Sequence, residues 1–171
     1  ADLIVVSEPD ATFEPRDIVK LLAYADDFDF VVGTRTAREF IWEGANMGPF
    51  LKWGNYFAAK LIEVLFNTVN LTDVGCTLRL IKREALRKME PHFTVDNSHF
   101  GPEMMLLACV LGIPFVQVPV NYRRRVGVSA VTGSKWKALR VGLRILGLIL
   151  RTRLRHVSPD AASQERPRRP A

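Results

Sequence analysis

Two carboxylates two residues apart, in Glu8-Pro9-Asp10, are the first groups along the chain with chemistry to offer. They follow directly on Leu3-Ile4-Val5-Val6, an unbroken apolar run of the kind that forms a strand covered on both faces in a parallel sheet. In open α/β sheets ligands bind beyond the carboxyl ends of the strands, which is where this pair would stand. Two carboxylates there can share a hard divalent cation, Mg²⁺ or Mn²⁺, whose remaining positions accept the phosphates of a nucleotide. Such a site neutralises a departing diphosphate. The alternative is a solvated acidic turn, and the pair alone leaves both open.

The elements that position this pair follow in order. Pro15 and the apolar spacing from Asp17 to Leu22 start a helix expected to end near Asp26-Asp27. Residues 28–32 read as a buried strand that empties through Gly33-Thr34 into Arg35, on the same rim as Asp10. Residues 37–48, with two glycines, read as a loop over the site. A long helix over 49–67 carries Phe50, Trp53, Phe57, Leu61 and Leu65 on one stripe; such stripes usually face a core, although this aromatic content also suits lipid tails. Asp73 ends a turn before a strand over 77–81 that holds Arg79, and it either pairs with Arg79 or faces the site. Helices are expected over 82–89 and 100–111, with Glu103 in the first turn of the second. Residues 114–122 alternate, and Pro119 places them at an edge with one face more exposed.

Several of these segments, taken together and in order, carry a resemblance. Asp29-Phe30-Val31-Val32-Gly33-Thr34-Arg35, Gly44-Ala45-Asn46-Met47-Gly48, Trp53-Gly54-Asn55, Leu71-Thr72-Asp73-Val74-Gly75-Cys76-Thr77-Leu78-Arg79 and Tyr122-Arg123-Arg124-Arg125-Val126-Gly127-Val128-Ser129 resemble family 2 glycosyltransferases of the dolichol-phosphate mannose synthase type. The resemblance runs over about residues 1–150. It implies an α/β fold of GT-A, Rossmann-like type, a mixed sheet flanked by helices. It also implies a nucleotide-sugar donor held through Mg²⁺ or Mn²⁺ on an Asp-x-Asp-like motif, here Glu8 and Asp10, and a polyprenyl phosphate acceptor. By the same resemblance Arg35, Arg38, Arg125 and Ser129 meet the acceptor phosphate, whose oxygens suit the paired donors of guanidinium groups. Asp73 is implied to lie in the reaction cleft and Glu103 to point to its acceptor side. A base there is needed only for a hydroxyl acceptor, since a lipid phosphate is already ionised. In many relatives a lysine follows the serine, where Ala130 stands here.

In that family an N-terminal half with most base and ribose contacts precedes the strand with which this chain opens. The expectation is therefore a partial GT-A domain, its acceptor side, over residues 1–133, with a second chain as one possible source of the missing half. The 171 residues allow one real core and a tail. A net charge of +6 calls for an anionic partner. Residues 134–156 read as a basic helix with Trp136, Leu139, Leu143, Leu146 and Leu150 on one side and Lys137, Arg140, Arg144, Arg151 and Arg155 on another. Such a helix lies in the interface of an anionic membrane or docks on its own domain. No helix-turn-helix spacing or stacking aromatics favour nucleic acid, and residues 157–171 are expected to be disordered. Cys76 and Cys109 have no metal or disulfide spacing and read as buried thiols. The whole predicts a metal-dependent, inverting sugar transfer to polyprenyl phosphate, peripheral on the cytoplasmic face of a membrane. The alternative is a truncated chain that binds polyprenyl phosphate or membrane without catalysis, or one half of a split enzyme.

Overall fold

Four short runs, Leu3–Val6 (β1), Phe30–Thr34 (β2), Arg79–Lys82 (β3) and Phe115–Pro119 (β4), form one mixed sheet in the computed structural model, which describes residues 2–45, 48–97, 99–127 and 135–156. The order is β1-β3-β2-β4, with β3 antiparallel to both neighbours and β2 parallel to β4. Strands β1, β2 and β4 therefore run the same way, and their carboxyl ends share a rim with the amino end of β3. That arrangement collects the acidic loop after Val6, Arg35 after β2, Arg79 at the start of β3 and the arginines after β4.

Because side chains alternate along a strand, the sheet needs cover on both faces. On one face Phe30, Ile81 and Phe115 pack against helices α2 (Pro49–Phe66), α4 (Phe100–Val110) and α5 (Lys135–Arg155) through Ala59, Ile62, Met105 and Ile149, with Ala85 and Met89 of α3 (Arg83–Met89) beside them. On the other, Val31, Leu80 and Val118 cover Leu21 of α1 (Pro15–Leu22). The α/β class with helices on both sides of a mixed sheet is thus as the sequence implies. Both cysteines are buried free thiols that burial pushes up to about 12, so neither is a nucleophile near neutral pH.

Four expectations change. β1 is an edge strand paired only with β3, and Leu3, Val5 and Val6 are each more than a third exposed. An unbroken apolar run reports strand preference, not how many neighbours the strand has. β4 is an edge strand with Pro119 exposed, yet both its faces are covered: Phe115 enters one core and Val118 and Val120 the other. Asn121 goes inward because its backbone and side-chain N–H groups both donate to the buried Asp17 carboxylate, each at 2.9 Å. The stripe of α2 divides: Leu61 and Leu65 pack against the core, whereas its aromatic members do not. Trp53 and Phe57 are 68% and 60% exposed, and the buried face is the smaller set Ala58, Ala59 and Ile62, which brings α2 close to α5. Helix α1 ends at Leu22, sooner than expected, and residues 23–27 form turns.

Helix α5 docks and displays at once. Ile145 and Ile149 are buried in the core shared with α2 and α4, whereas Trp136, Leu139, Leu143, Leu150 and Leu154 stay exposed. The expected tail lies outside the described residues.

Gly33 sits where β2 passes closest to its surroundings. A methyl group there would run into Cys76 Sγ, the Val120 side chain and the Leu78 carbonyl. Gly33→Ala is expected to lower the unfolding free energy by about 1–3 kcal/mol in a denaturant melt; an unchanged midpoint would show that the sheet opens there without cost.

Candidate active site

The loop after β1 is built around Asp10. Its Oδ1 accepts the Thr12 N–H at 3.1 Å and the Thr12 hydroxyl at 2.6 Å, a side-chain-closed turn. Ala11 inside that turn has φ 60°, a left-handed conformation that costs a non-glycine residue about 1–2 kcal/mol. The surroundings hold it: Arg123 N–H donates to the Thr12 carbonyl and Val126 N–H to the Asp10 carbonyl, both at 2.9 Å. The loop after β1 and the segment after β4 are thereby fastened together on either side of Arg125. The Arg125 guanidinium contacts the Glu8 carboxylate and lies 2.6 Å from Asp10 Oδ2.

The two carboxyls differ in character. Burial pushes Glu8 up, helped by its hydrogen bond to Asp10, and Arg125 only partly opposes this. Burial also works against the Asp10 anion, but Thr12, Glu8 and Arg125 together outweigh it and hold the group at about 2. Asp10 Oδ2 is buried and accepts no well-formed hydrogen bond, so what it faces is a positive charge. Glu8 and Asp10 converge on one such position. That donor set fits Mg²⁺ or Mn²⁺, which protein sites of this kind hold by one or two carboxylates while substrate phosphates and water fill the rest. Among the described residues no third His, Cys, Asp or Glu joins them.

Arg35 is fixed differently. Its Nε and Nη2 donate to the two oxygens of Asp73 at 2.8 and 3.0 Å, and its backbone N–H adds a third bond at 3.0 Å. Gly75 N–H donates to Asp73 as well, at 2.8 Å. Burial would raise Asp73, yet Arg35 holds it below the usual carboxylate range; in return Asp73 overrides burial and raises Arg35. Asp73 is therefore neither the partner of Arg79 nor a free group in the cleft. Both its oxygens are spent on positioning Arg35, which also stacks on Tyr122 at 5.1 Å.

Arg79 lines the cavity, a position the sequence did not disclose although a lone arginine in an apolar strand was the available signal. It is 2% exposed, and its guanidinium donates to the carbonyls of Cys76, Val74 and Gly101, with no carboxylate among its described partners. Burial lowers it to about 10, so it stays cationic near neutral pH.

Glu103 is corrected. It is buried at the start of α4, where its carboxylate accepts the N–H groups of Thr94 and Val95 and the Thr94 hydroxyl, turned to the 94–95 loop and not to the cavity. A carboxylate near a helix N-terminus with two spare backbone donors beside it closes a loop. Arg38 is exposed at the start of the 3-10 turn Arg38–Phe40 and does not line the cavity. Ser129 lies outside the described residues.

Glu8, Arg35, Arg79 and Arg125 meet at one end of a cavity of about 700 Å³. Its other end runs between helices and is apolar, lined by Phe57 and Ala58 of α2, Met104 of α4 and Leu139, Leu143, Ile145 and Leu146 of α5. A charged end joined to an apolar slot is the shape of a site for an amphiphile with a charged head.

No family model matches the chain. Among curated proteins it is similar to dolichyl-phosphate sugar transferases. A dolichyl-phosphate hexose transferase of Haloferax volcanii is 29% identical over 156 residues, which covers 90% of this chain and 64% of the relative. A dolichyl-phosphate beta-glucosyltransferase of Mus musculus is 24% identical over 149 residues, covering 84% of this chain and 43% of the relative. The chain thus spans less than two thirds of the length of either. Both names fit the resemblance in the sequence as far as a hexosyl transfer, and neither specifies mannose.

The pair at the end of β2 makes a stability prediction. Asp73→Asn leaves Arg35 buried without its counter-charge and is expected to cost about 3–5 kcal/mol in a denaturant melt. Asp10 and Asp73 are both held below the ordinary value of 3.8. The stability they add is in place above that value and is lost as pH falls through their folded values, about 2 for Asp10. Glu8, raised, acts in the opposite sense. A wild-type melting temperature that stayed level on acidification through this range would contradict the assignment.

Proposed function

We propose that this chain is the acceptor-side part of an inverting glycosyltransferase that moves a hexose from a nucleotide-sugar donor to a polyprenyl phosphate of the dolichyl type. The observation that carries the reading is the two-ended cavity. Three buried or half-buried arginines stand at its polar end beside a carboxylate pair, and an apolar slot between α2 and α5 leads away from them. The likeness to two dolichyl-phosphate sugar transferases supports a dolichyl phosphate acceptor and a hexose as the transferred sugar.

In this reading the headgroup phosphate of the lipid rests against Arg35 and Arg79, with the isoprenoid chain in the slot. One phosphate oxygen attacks the anomeric carbon from the side opposite the nucleoside diphosphate. The bond to the diphosphate breaks, and the configuration inverts. Mg²⁺ or Mn²⁺ held by Glu8 and Asp10 would supply positive charge for the leaving diphosphate. The attacking phosphate is ionised already, so no general base is required. That agrees with the engagement of Asp73 and Glu103, whose oxygens are committed to Arg35 and to the 94–95 loop.

The same reading places the chain on a membrane surface. Phe50, Trp53, Phe57 and Val64 of α2 and Trp136, Leu139, Leu143 and Leu150 of α5 are exposed on the two helices that line the slot. Arg140, Arg144 and Arg151 on α5 are also exposed and suit an anionic leaflet such as the cytoplasmic one. Contact through such helices lies in the plane of the interface; among the described residues no helix is long and apolar enough to cross a membrane.

Two measurements test this. Transfer from labelled nucleotide-sugars to a short polyprenyl phosphate is expected to need Mg²⁺ or Mn²⁺ and to fall at least about a hundredfold in Asp10→Asn, the scale of losing a preorganised charge-stabilising group. Metal-independent transfer contradicts the carboxylate assignment, and retention of the lipid without transfer favours the binding-only alternative. For the membrane, the chain is expected to sediment with anionic vesicles at low salt and to be released by raised salt. The combined change Trp53→Ser and Leu143→Ser should weaken sedimentation while leaving the melting temperature unchanged, because both side chains are exposed. A chain that ignores anionic vesicles at low salt has no such surface.

A further inference from the structure

The carboxylates expected to hold a metal and the arginine expected to hold the acceptor phosphate form one cluster. A single nitrogen of Arg125, Nη2, contacts both Glu8 Oε2 and Asp10 Oδ2, standing where a divalent ion on this pair would stand. Two cations within about 3 Å of the same two oxygens repel strongly in a partly buried site, so occupation by one excludes the other. Without a cation the pair would place uncompensated negative charge beside the polar end of the cavity, where an anionic headgroup has to enter.

The three arginines at that end differ in how they are held. Arg35 is locked on Asp73 by side-chain and backbone bonds, and Arg79 is locked on three carbonyls. Arg125 alone of the three has as its partners the groups that a ligand would claim. Its backbone cannot drift, because Arg123 N–H and Val126 N–H are bonded to the loop that carries Asp10. Its side chain is a quarter exposed and lines the cavity, so release takes only a rotation of that side chain.

We propose that Arg125 is an exchangeable counter-ion: it neutralises Glu8 and Asp10 until a divalent cation takes them, and it then turns into the cavity to receive the anionic headgroup of the second ligand. The inference rests on the metal reading of Glu8 and Asp10 given above. It makes the binding of metal and of a phosphate amphiphile mutually strengthening, since whatever frees Arg125 for one ligand is itself favoured by the other. It also orders the ligands, with the metal-bearing donor first and the lipid phosphate second. A lipid phosphate that arrives before the metal finds Arg125 already spent.

The test uses the full chain and a readout independent of sugar transfer. Mn²⁺ affinity is measured from the electron paramagnetic resonance signal of the free ion at low ionic strength. Arg125→Met is expected to bind Mn²⁺ roughly tenfold tighter than wild type, inside the usual range of such couplings, and Arg125→Lys to stay near wild type. Equal or weaker Mn²⁺ binding by a folded Arg125→Met, checked by its melting curve, overturns the proposal. A second arm needs no variant: calorimetric binding of decyl phosphate to wild type should tighten several-fold at saturating Mn²⁺, and decyl phosphate binding indifferent to Mn²⁺ also overturns it. Wild type and Arg125→Met that both fail to bind Mn²⁺ would remove the metal reading along with the exchange. Failure of sugar transfer beside an intact exchange would count against the reaction alone.

Discussion

The polar end of the cavity depends on one buried ion pair. Asp73 is fully buried, and a carboxylate in that position is tolerable only if its charge is matched and its oxygens are bonded. Arg35 and the Gly75 N–H meet that demand, which joins the end of β2 to the loop before β3. Gln117 of β4 extends the join: its Oε1 accepts the Thr72 N–H at 2.7 Å, and its Nε2 donates to the Asp73 carbonyl. Three consecutive sheet elements are therefore tied at one rim by groups that cannot leave without stranding a buried charge or amide. The Arg79 guanidinium closes the next gap by bonding the same loop to the start of α4.

Set against this frame, the acidic loop and Arg125 are differently made. The loop is fixed by backbone bonds to the 123–126 segment, but its carboxylates face a side chain, not a wall. Fixed cations and a replaceable ion pair at one site suit a reaction with two anionic substrates. In the proposed exchange Arg35 and Arg79 keep their positions, while Arg125 lets charge be redistributed as ligands enter. The apolar end follows from packing. Small residues at Ala58 and Ala59 allow α2 to approach α5, and the large side chains displaced from that contact line the slot and the outer surface.

Much of this was legible in the sequence, and the limits have physical causes. The apolar runs ending in Glu8-Pro9-Asp10 and in Arg35 located two parts of the rim, because strand and loop signals are local. What Asp73 binds is not local: Arg35 becomes its partner only because β3 inserts between β1 and β2 with reversed direction. The same non-locality hid Glu103, whose bonds run to Thr94 and Val95, and put Arg35 in the cavity but Arg38, three residues on, outside it. Helix periodicity found α2 and α5 to within about two residues, the ordinary scatter of helix ends. It could not tell which members of an apolar stripe reach the core, and in α2 Leu61 and Leu65 do so while Phe50, Trp53 and Phe57 stay exposed.

In the proposed function a lipid phosphate lies with its head at Arg35 and Arg79 and its chain between α2 and α5. Photolabelling with a polyprenyl phosphate that carries a diazirine in its second isoprene unit tests it most directly. Label is expected on peptides containing Phe57 of α2 and Leu143 or Leu146 of α5, displaced by unlabelled polyprenyl phosphate but not by the corresponding alcohol. Label elsewhere on the chain, or displacement by the alcohol as efficient as by the phosphate, would contradict it.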